Sequence, residues 1–154
     1  MIEDWLRDRW LALWKNMGAR GDPLPPFQNL VRRYREPHRK YHTLGHIAHC
    51  LKEFEYARHL AKHPDQVEFA LWYHDAIYEI GRKDNEERSA QFASAVAQGA
   101  GLNRAFVNDV TRHVLATMHA VVPEESDTQL VADADLSSLG ALPEVFARLN
   151  RNIR

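Results

Sequence analysis

The sequence predicts an all-α fold, a single helical bundle, and three observations predict it. Apolar residues recur at three- and four-residue spacing along most of the chain, no useful run alternates with the period of two that a strand needs, and Gly or Pro clusters cut the chain into segments of helical length. At 154 residues the chain is long enough for one domain with a proper core and short for two. Neither an internal repeat nor a low-complexity segment divides it, so one domain is expected over residues 1–154.

Ile2, Trp5, Leu6, Trp10, Leu13, Trp14 and Met17 place an amphipathic helix over 2–17, which Gly18, Gly21, Pro23, Pro25 and Pro26 end. A short second helix follows through Phe27, Leu30, Val31 and Tyr34. The tryptophans read as core packing and not as a ligand cage, and the first helix is also a candidate homodimer surface. Residues 36–46, EPHRKYHTLGH, then form a Pro-started loop with three His and two basic residues. Thr43 is the expected N-cap of a helix over 44–62. Its stripe of Ile47, Cys50, Leu51, Phe54 and Ala57 takes His46 into the interior, whereas His49 falls with Lys52, Glu53 and Tyr56 on the surface.

His63-Pro64 breaks the chain, and a helix over 65–80 carries LWYHDAIYEI, with His74 on its buried face and Asp75 at the edge of that face. Asp84 is expected to cap the next helix with Glu87 at capping-box spacing, which leaves Glu86 without a structural explanation. Gly99 and Gly101 end that helix. Phe106, Val107, Val110, Val114 and Met118 mark another, finishing near His119, whose imidazole either complements the helix C-terminus or serves a site. The last well-marked helix carries VADADLSSLG, in which Asp133 or Asp135 can turn inward. Pro143 opens a final helical stretch that stops at Arg154.

With 20 basic against 21 acidic residues, the net charge of -1 argues against a nucleic-acid footprint and against a polybasic membrane contact. Partners are therefore expected to be small molecules. The start, MIEDWLRDRW, is too charged for a signal peptide, and no apolar run approaches the roughly 18 residues that span a bilayer. The single Cys50 lies in an apolar stripe, which reads as a buried thiol in a reducing compartment. A cytoplasmic protein is expected.

Burying an adjacent imidazole and carboxylate among Leu71, Trp72, Tyr73, Ile77 and Tyr78 is costly unless a metal ion or a proton partner compensates. Adjacent helical residues point about 100° apart, so His74 and Asp75 reach one point only if it lies off the helix between them. An ion meets that requirement, although a core His beside a solvated Asp is the plainer reading of the dipeptide alone. His46 and an inward Asp at 133 or 135 would extend the pair to two His and two carboxylates. Such a set suits Mn, Co, Ni, Fe or Zn better than an all-oxygen Mg or Ca cage, and it leaves positions open for water.

YHTLGHI at 41–47, ALWYHDAIYE at 70–79, DNEERSA at 84–90, ATMH at 116–119 and DADLSSLG at 133–140 span essentially the whole chain. Together they resemble the HD superfamily of metal-dependent phosphohydrolases, and more closely its branch of small bacterial predicted hydrolases. The resemblance implies an HD-type helical bundle and makes His46, His74, Asp75 and Asp135 ligands of one divalent transition metal, with Mg as a further choice. Asp135 is preferred to Asp133, and His42 is the alternative first ligand. Some relatives place a His where this chain has Asn85, which argues against a second metal. Relatives also continue with further helices beyond the position of Arg154, so a truncated domain is expected.

The implied reaction is hydrolysis of a nucleotide or other small phosphate ester by a metal-activated water. For it, Asp75, Glu86 and His119 are the candidate catalytic residues, and Arg39, Lys40, His42 and Asn85 the candidate substrate-binding ones. A solvated basic loop is the plainer reading of Arg39 and Lys40. The competing functions are a di-iron HD-type oxygenase, for which Asn85 is a poor ligand, and a nucleotide-sensing HD module without chemistry, against which the complete ligand set argues. A helical scaffold with incidental His residues is the blandest alternative.

Overall fold

The computed structural model describes residues 2–137, and the expectations for the stretch from Pro143 to Arg154 lie outside them. Among the described residues the fold is an all-helical bundle with no strands. Its α-helices are α1 (Ile2–Met17), α2 (Leu24–Tyr34), α3 (Leu44–Ala57), α4 (Pro64–Tyr73), α5 (Asn85–Gly99), α6 (Arg104–Leu115) and α7 (Ser126–Leu136). None of these is long and apolar enough to cross a membrane.

The bundle is built around α4. Every residue from Val67 to Tyr73 is buried, so this helix is covered on all sides, as its uninterrupted run VEFALWY requires. It packs against α1, α3, α5, α6 and α7. Glu68, the one acid in that run, is matched by Arg9 at 2.9 Å and Arg58 at 2.8 Å. Trp10 of α1 meets Trp72 edge-on with centroids 5.3 Å apart and stacks on Phe69 at 6.1 Å. The indole N–H groups of Trp10 and Trp14 donate to the carbonyls of Pro23 and Gly21, so both rings enter the core with their polar atoms satisfied. Trp5 is the tryptophan of α1 left partly exposed.

Three local expectations are corrected. The helix expected over 65–80 ends at Tyr73, so His74 and Asp75 form its terminal turn and do not sit mid-helix. Its last carbonyls find partners from elsewhere: His74 Nδ1 donates to Leu71 O (2.7 Å), Tyr34 Oη to Trp72 O (2.6 Å) and the Ala76 N–H to Tyr73 O (3.0 Å). These bonds satisfy the groups a continuing helix would have used. The helix expected over 44–62 becomes a short 3-10 turn after Ala57. Asp84 does precede α5, but its carboxylate pairs with Arg82 at 2.8 Å and caps no N–H, so the capping box is not formed.

Candidate metal centre

Three helix ends deliver the centre. His46 stands in the first turn of α3, His74 and Asp75 follow the last residue of α4, and Asp135 lies in the last turn of α7. The α3 stripe carries His46 inward as expected, and its side chain is 1% exposed, that of His74 0%. The two carboxylates are more open, at 14% for Asp75 and 16% for Asp135. The centre therefore opens to solvent on its carboxylate side. Asp133, the alternative to Asp135, is exposed.

Four ligand-type atoms converge. His46 Nε2 lies 3.2 Å from His74 Nε2, 3.2 Å from Asp75 Oδ2 and 3.1 Å from Asp135 Oδ1. His74 Nε2 lies 3.1 Å from each of the same two oxygens. Ligands bound to one transition ion at about 2.0–2.2 Å stand roughly 3 Å or slightly more from one another, which is the spacing found here. The tautomer agrees as well: with its Nδ1 proton given to Leu71 O, His74 turns the lone pair of Nε2 toward the centre. Two such lone pairs 3.2 Å apart repel unless a cation or a proton lies between them. The residues present fit a divalent transition metal on donor chemistry, spacing and tautomer.

The charges behave accordingly. Burial works against a charged His74, but Asp75 and Asp135 hold its pKa well above the ordinary imidazole value. Burial likewise opposes ionisation of Asp75 and Asp135, and His74 foremost among their neighbours holds both carboxyls well below the usual range. Without an ion, protons on the imidazoles supply the positive charge that the site is built to hold.

Each carboxylate has an outer histidine beside it. His42 Nδ1 lies 3.1 Å from Asp75 Oδ2, while His119 Nε2 lies 2.7 Å from Asp135 Oδ2. Of the two candidate first ligands, His46 faces both carboxylates and His42 faces Asp75, within reach of the same centre. His119 sits past the end of α6 in the left-handed region, φ 55, a conformation a non-glycine residue adopts at some cost.

The remaining candidates are placed elsewhere. Arg39 is buried, not solvated, and its guanidinium is committed to the carbonyls of His42 (3.0 Å), Asp75 (2.7 Å) and Ala76 (2.8 Å) and to Glu36 (3.0 Å). It braces the turn that holds the ligand pair. Lys40 is exposed and, among the described residues, makes no side-chain hydrogen bond or ion pair. The Asn85 amide is turned onto the backbone of Glu79, accepting from its N–H (3.1 Å) and donating to its carbonyl (3.0 Å). Glu86 is half-buried and, among the described residues, has no hydrogen bond or ion pair.

Two residues near the centre escaped the sequence reading. Cys50, four residues after His46 on the same stripe, brings Sγ to 3.6 Å from His46 Nε2, so the thiol expected only as core filling borders the ligands. His49, expected on the surface, is half-buried and lies 2.9 Å from Ser137 Oγ. No family model matches the chain, and no curated protein or solved structure matches it either.

Proposed function

We propose that the chain is a metal-dependent phosphohydrolase of the HD-superfamily kind, acting on a nucleotide or another small phosphate ester. The observation that carries this reading is the convergence of His46, His74, Asp75 and Asp135 on one point that is sealed by imidazoles on one side and open past carboxylates on the other. A closed set of four ligands around a fully buried ion would suit a structural role, whereas an open side admits a water and a substrate oxygen. The sequence motifs that resemble the HD superfamily supply the reaction class.

His46, His74, Asp75 and Asp135 would hold the ion, and a divalent transition metal bound there supplies Lewis-acid charge to a phosphoryl oxygen and acidifies a water. His74 Nδ1, fixed on Leu71 O, keeps the Nε2 lone pair presented. Arg39 holds the Asp75 and Ala76 carbonyls, the peptide groups on either side of Ala76, and so steadies the turn from which the Asp75 side chain projects. His119 stands at the open side with its ring on Asp135, placed to hold a proton that a leaving alkoxide needs. His42 takes the corresponding position beside Asp75.

The test is turnover of a panel of nucleotides and a chromogenic phosphodiester by metal-stripped protein given Mn, Co, Ni, Fe, Zn or Mg in turn, with Asp75→Ala as the control. Activity that returns with metal and is absent from the variant is the expected result. Iron bound at two per chain together with dioxygen consumption would assign the oxygenase instead. Nucleotide binding that survives chelation, without turnover under any metal, would assign a sensor.

A further inference from the structure

His113, near the end of α6, is fully buried and takes no part in the four-ligand centre. Its Nδ1 lies 3.0 Å from Thr128 Oγ1, while Nε2, buried as well, has no hydrogen-bond partner among the described residues. Buried polar atoms in native folds are mostly paired, and an orphan calls for an explanation, of which a bound ion is one. One nitrogen of His113 and one carboxylate oxygen each from Glu125 and Asp127 lie within 4.8 Å of one another. Nδ1 is taken up by Thr128, and in the tautomer that protonates Nδ1 the lone pair of Nε2 is the one open to a ligand. Burial holds the His113 pKa below the ordinary imidazole value, which keeps the ring in the neutral form that binds metals.

The carboxylates are prepared for the same task. Asp127, itself buried, is oriented by the N–H groups of Lys62 (2.8 Å) and His63 (2.9 Å), one on each oxygen, and each oxygen retains a further lone pair. Glu125 is exposed, beside Arg112 at 2.8 Å, and lines with Thr128 an open surface groove of about 520 Å³. That groove reaches the set at Glu125.

We propose that His113, Glu125 and Asp127 form a second metal site that takes zinc or a like divalent transition ion. One imidazole and two carboxylates match the borderline preference of zinc, with water completing the tetrahedron. The site is separate from the first: Asp127 and Asp135 are eight residues apart on α7, about 12 Å of helical rise. An ion here ties the end of α6 to the start of α7 across the segment that carries His119. Its role is to fix that segment, and with it the placement of His119 on Asp135.

Zinc titration of the full chain against a chromogenic chelator, with a count of zinc per chain, tests this in an Asp75→Ala/Asp135→Ala background that removes the first centre. The expected result is one zinc per chain in that background, weakened about tenfold by adding Glu125→Gln and abolished by adding His113→Ala. Should His113→Ala fail to fold by circular dichroism, the exposed Glu125→Gln change and the zinc-induced 15N shift of His113 Nε2 decide the matter. No zinc in the background variant, or a zinc indifferent to Glu125→Gln and silent at His113, overturns the proposal. Equal zinc in wild type and background would instead count against the four-ligand centre, so the two readings fail separately.

Discussion

His119 holds the outer oxygen of Asp135 at 2.7 Å, while the inner oxygen of the same carboxylate faces His46 and His74 at 3.1 Å. One side chain thus joins the mouth of the centre to its floor. The join depends on a backbone angle, φ 55 at His119, that most side chains disfavour.

Replacing His119 separates these two effects. His119→Ala and His119→Gly both lose the imidazole, and both are expected to lower turnover by roughly 10²–10⁴-fold if the ring carries a proton. Glycine tolerates the left-handed angle, so His119→Gly should be more stable than His119→Ala by up to about 1 kcal/mol in urea unfolding. Alanine being the more stable of the two would show that the angle carries no strain.

Asp135→Asn keeps the shape of the side chain and removes its charge. Its metal affinity, read by calorimetric titration with Mn or Co, should fall beyond the roughly 10–100-fold typical when only a partner of a ligand is lost. Asp133→Asn, an exposed neighbour, should leave affinity unchanged. Equal losses in the two would remove Asp135 from the ligand set.

Metal binding should release protons. In the metal-free chain burial opposes charge on His46 and His74, but Cys50 and the carboxylates around His46, and the carboxylates around His74, hold both well above 6.5. A raised histidine pKa contributes stability that is fully present below the unfolded value of about 6.5 and lost as pH rises through the higher folded value. The metal-free chain should therefore lose stability as pH climbs above about 6.5, while metal affinity climbs over the same range. Asp75 and Asp135 act in the opposite sense, losing their contribution only as pH falls well below 3.8. Urea unfolding from pH 6 to 9 with and without metal, and calorimetry in buffers of different ionisation enthalpy, check both signs. A flat metal-free profile would mean that folding does not raise the imidazole pKa values.

Arg39→Met should be costly although no ion touches the residue. It strands the His42, Asp75 and Ala76 carbonyls in a buried setting, a loss of about 3–5 kcal/mol in denaturant unfolding. Arg39→Lys restores the charge and one direction of donation but not the fork, so it should recover only part. Full recovery by lysine would show that charge alone matters there.

The helical class and the inward faces of His46 and His74 were legible because apolar spacing reports which way a helix points, and Asp135 was legible through its motif and its place on an apolar line. What spacing cannot report is where a helix stops. The apolar run through Tyr78 argued for continuation past Tyr73, yet α4 ends because Tyr34 and Arg39, some forty residues earlier, take up carbonyls at and beyond its end. The same long-range competition turned Arg39 from a solvated cation into a buried brace, while a local one gave Asp84 to Arg82, two residues before it, instead of to a cap. His113 carried a readable signal, since it falls on the stripe of Phe106, Val110 and Val114. Its partners did not, because Glu125 and Asp127 sit at the start of α7, whose direction is set by the preceding loop and not by any periodicity.

The way α4 ends has a consequence for how the centre is inherited. Its last carbonyls are claimed by a phenol from α2, an imidazole from the turn itself and a peptide N–H. The direction of His74 is thereby set by the same contacts that terminate the helix, before any ion is involved. Such a socket is moulded by the architecture and not by its occupant, so exchanging one metal for another should leave its outline intact, whereas Tyr34→Phe, remote in sequence, should blur it.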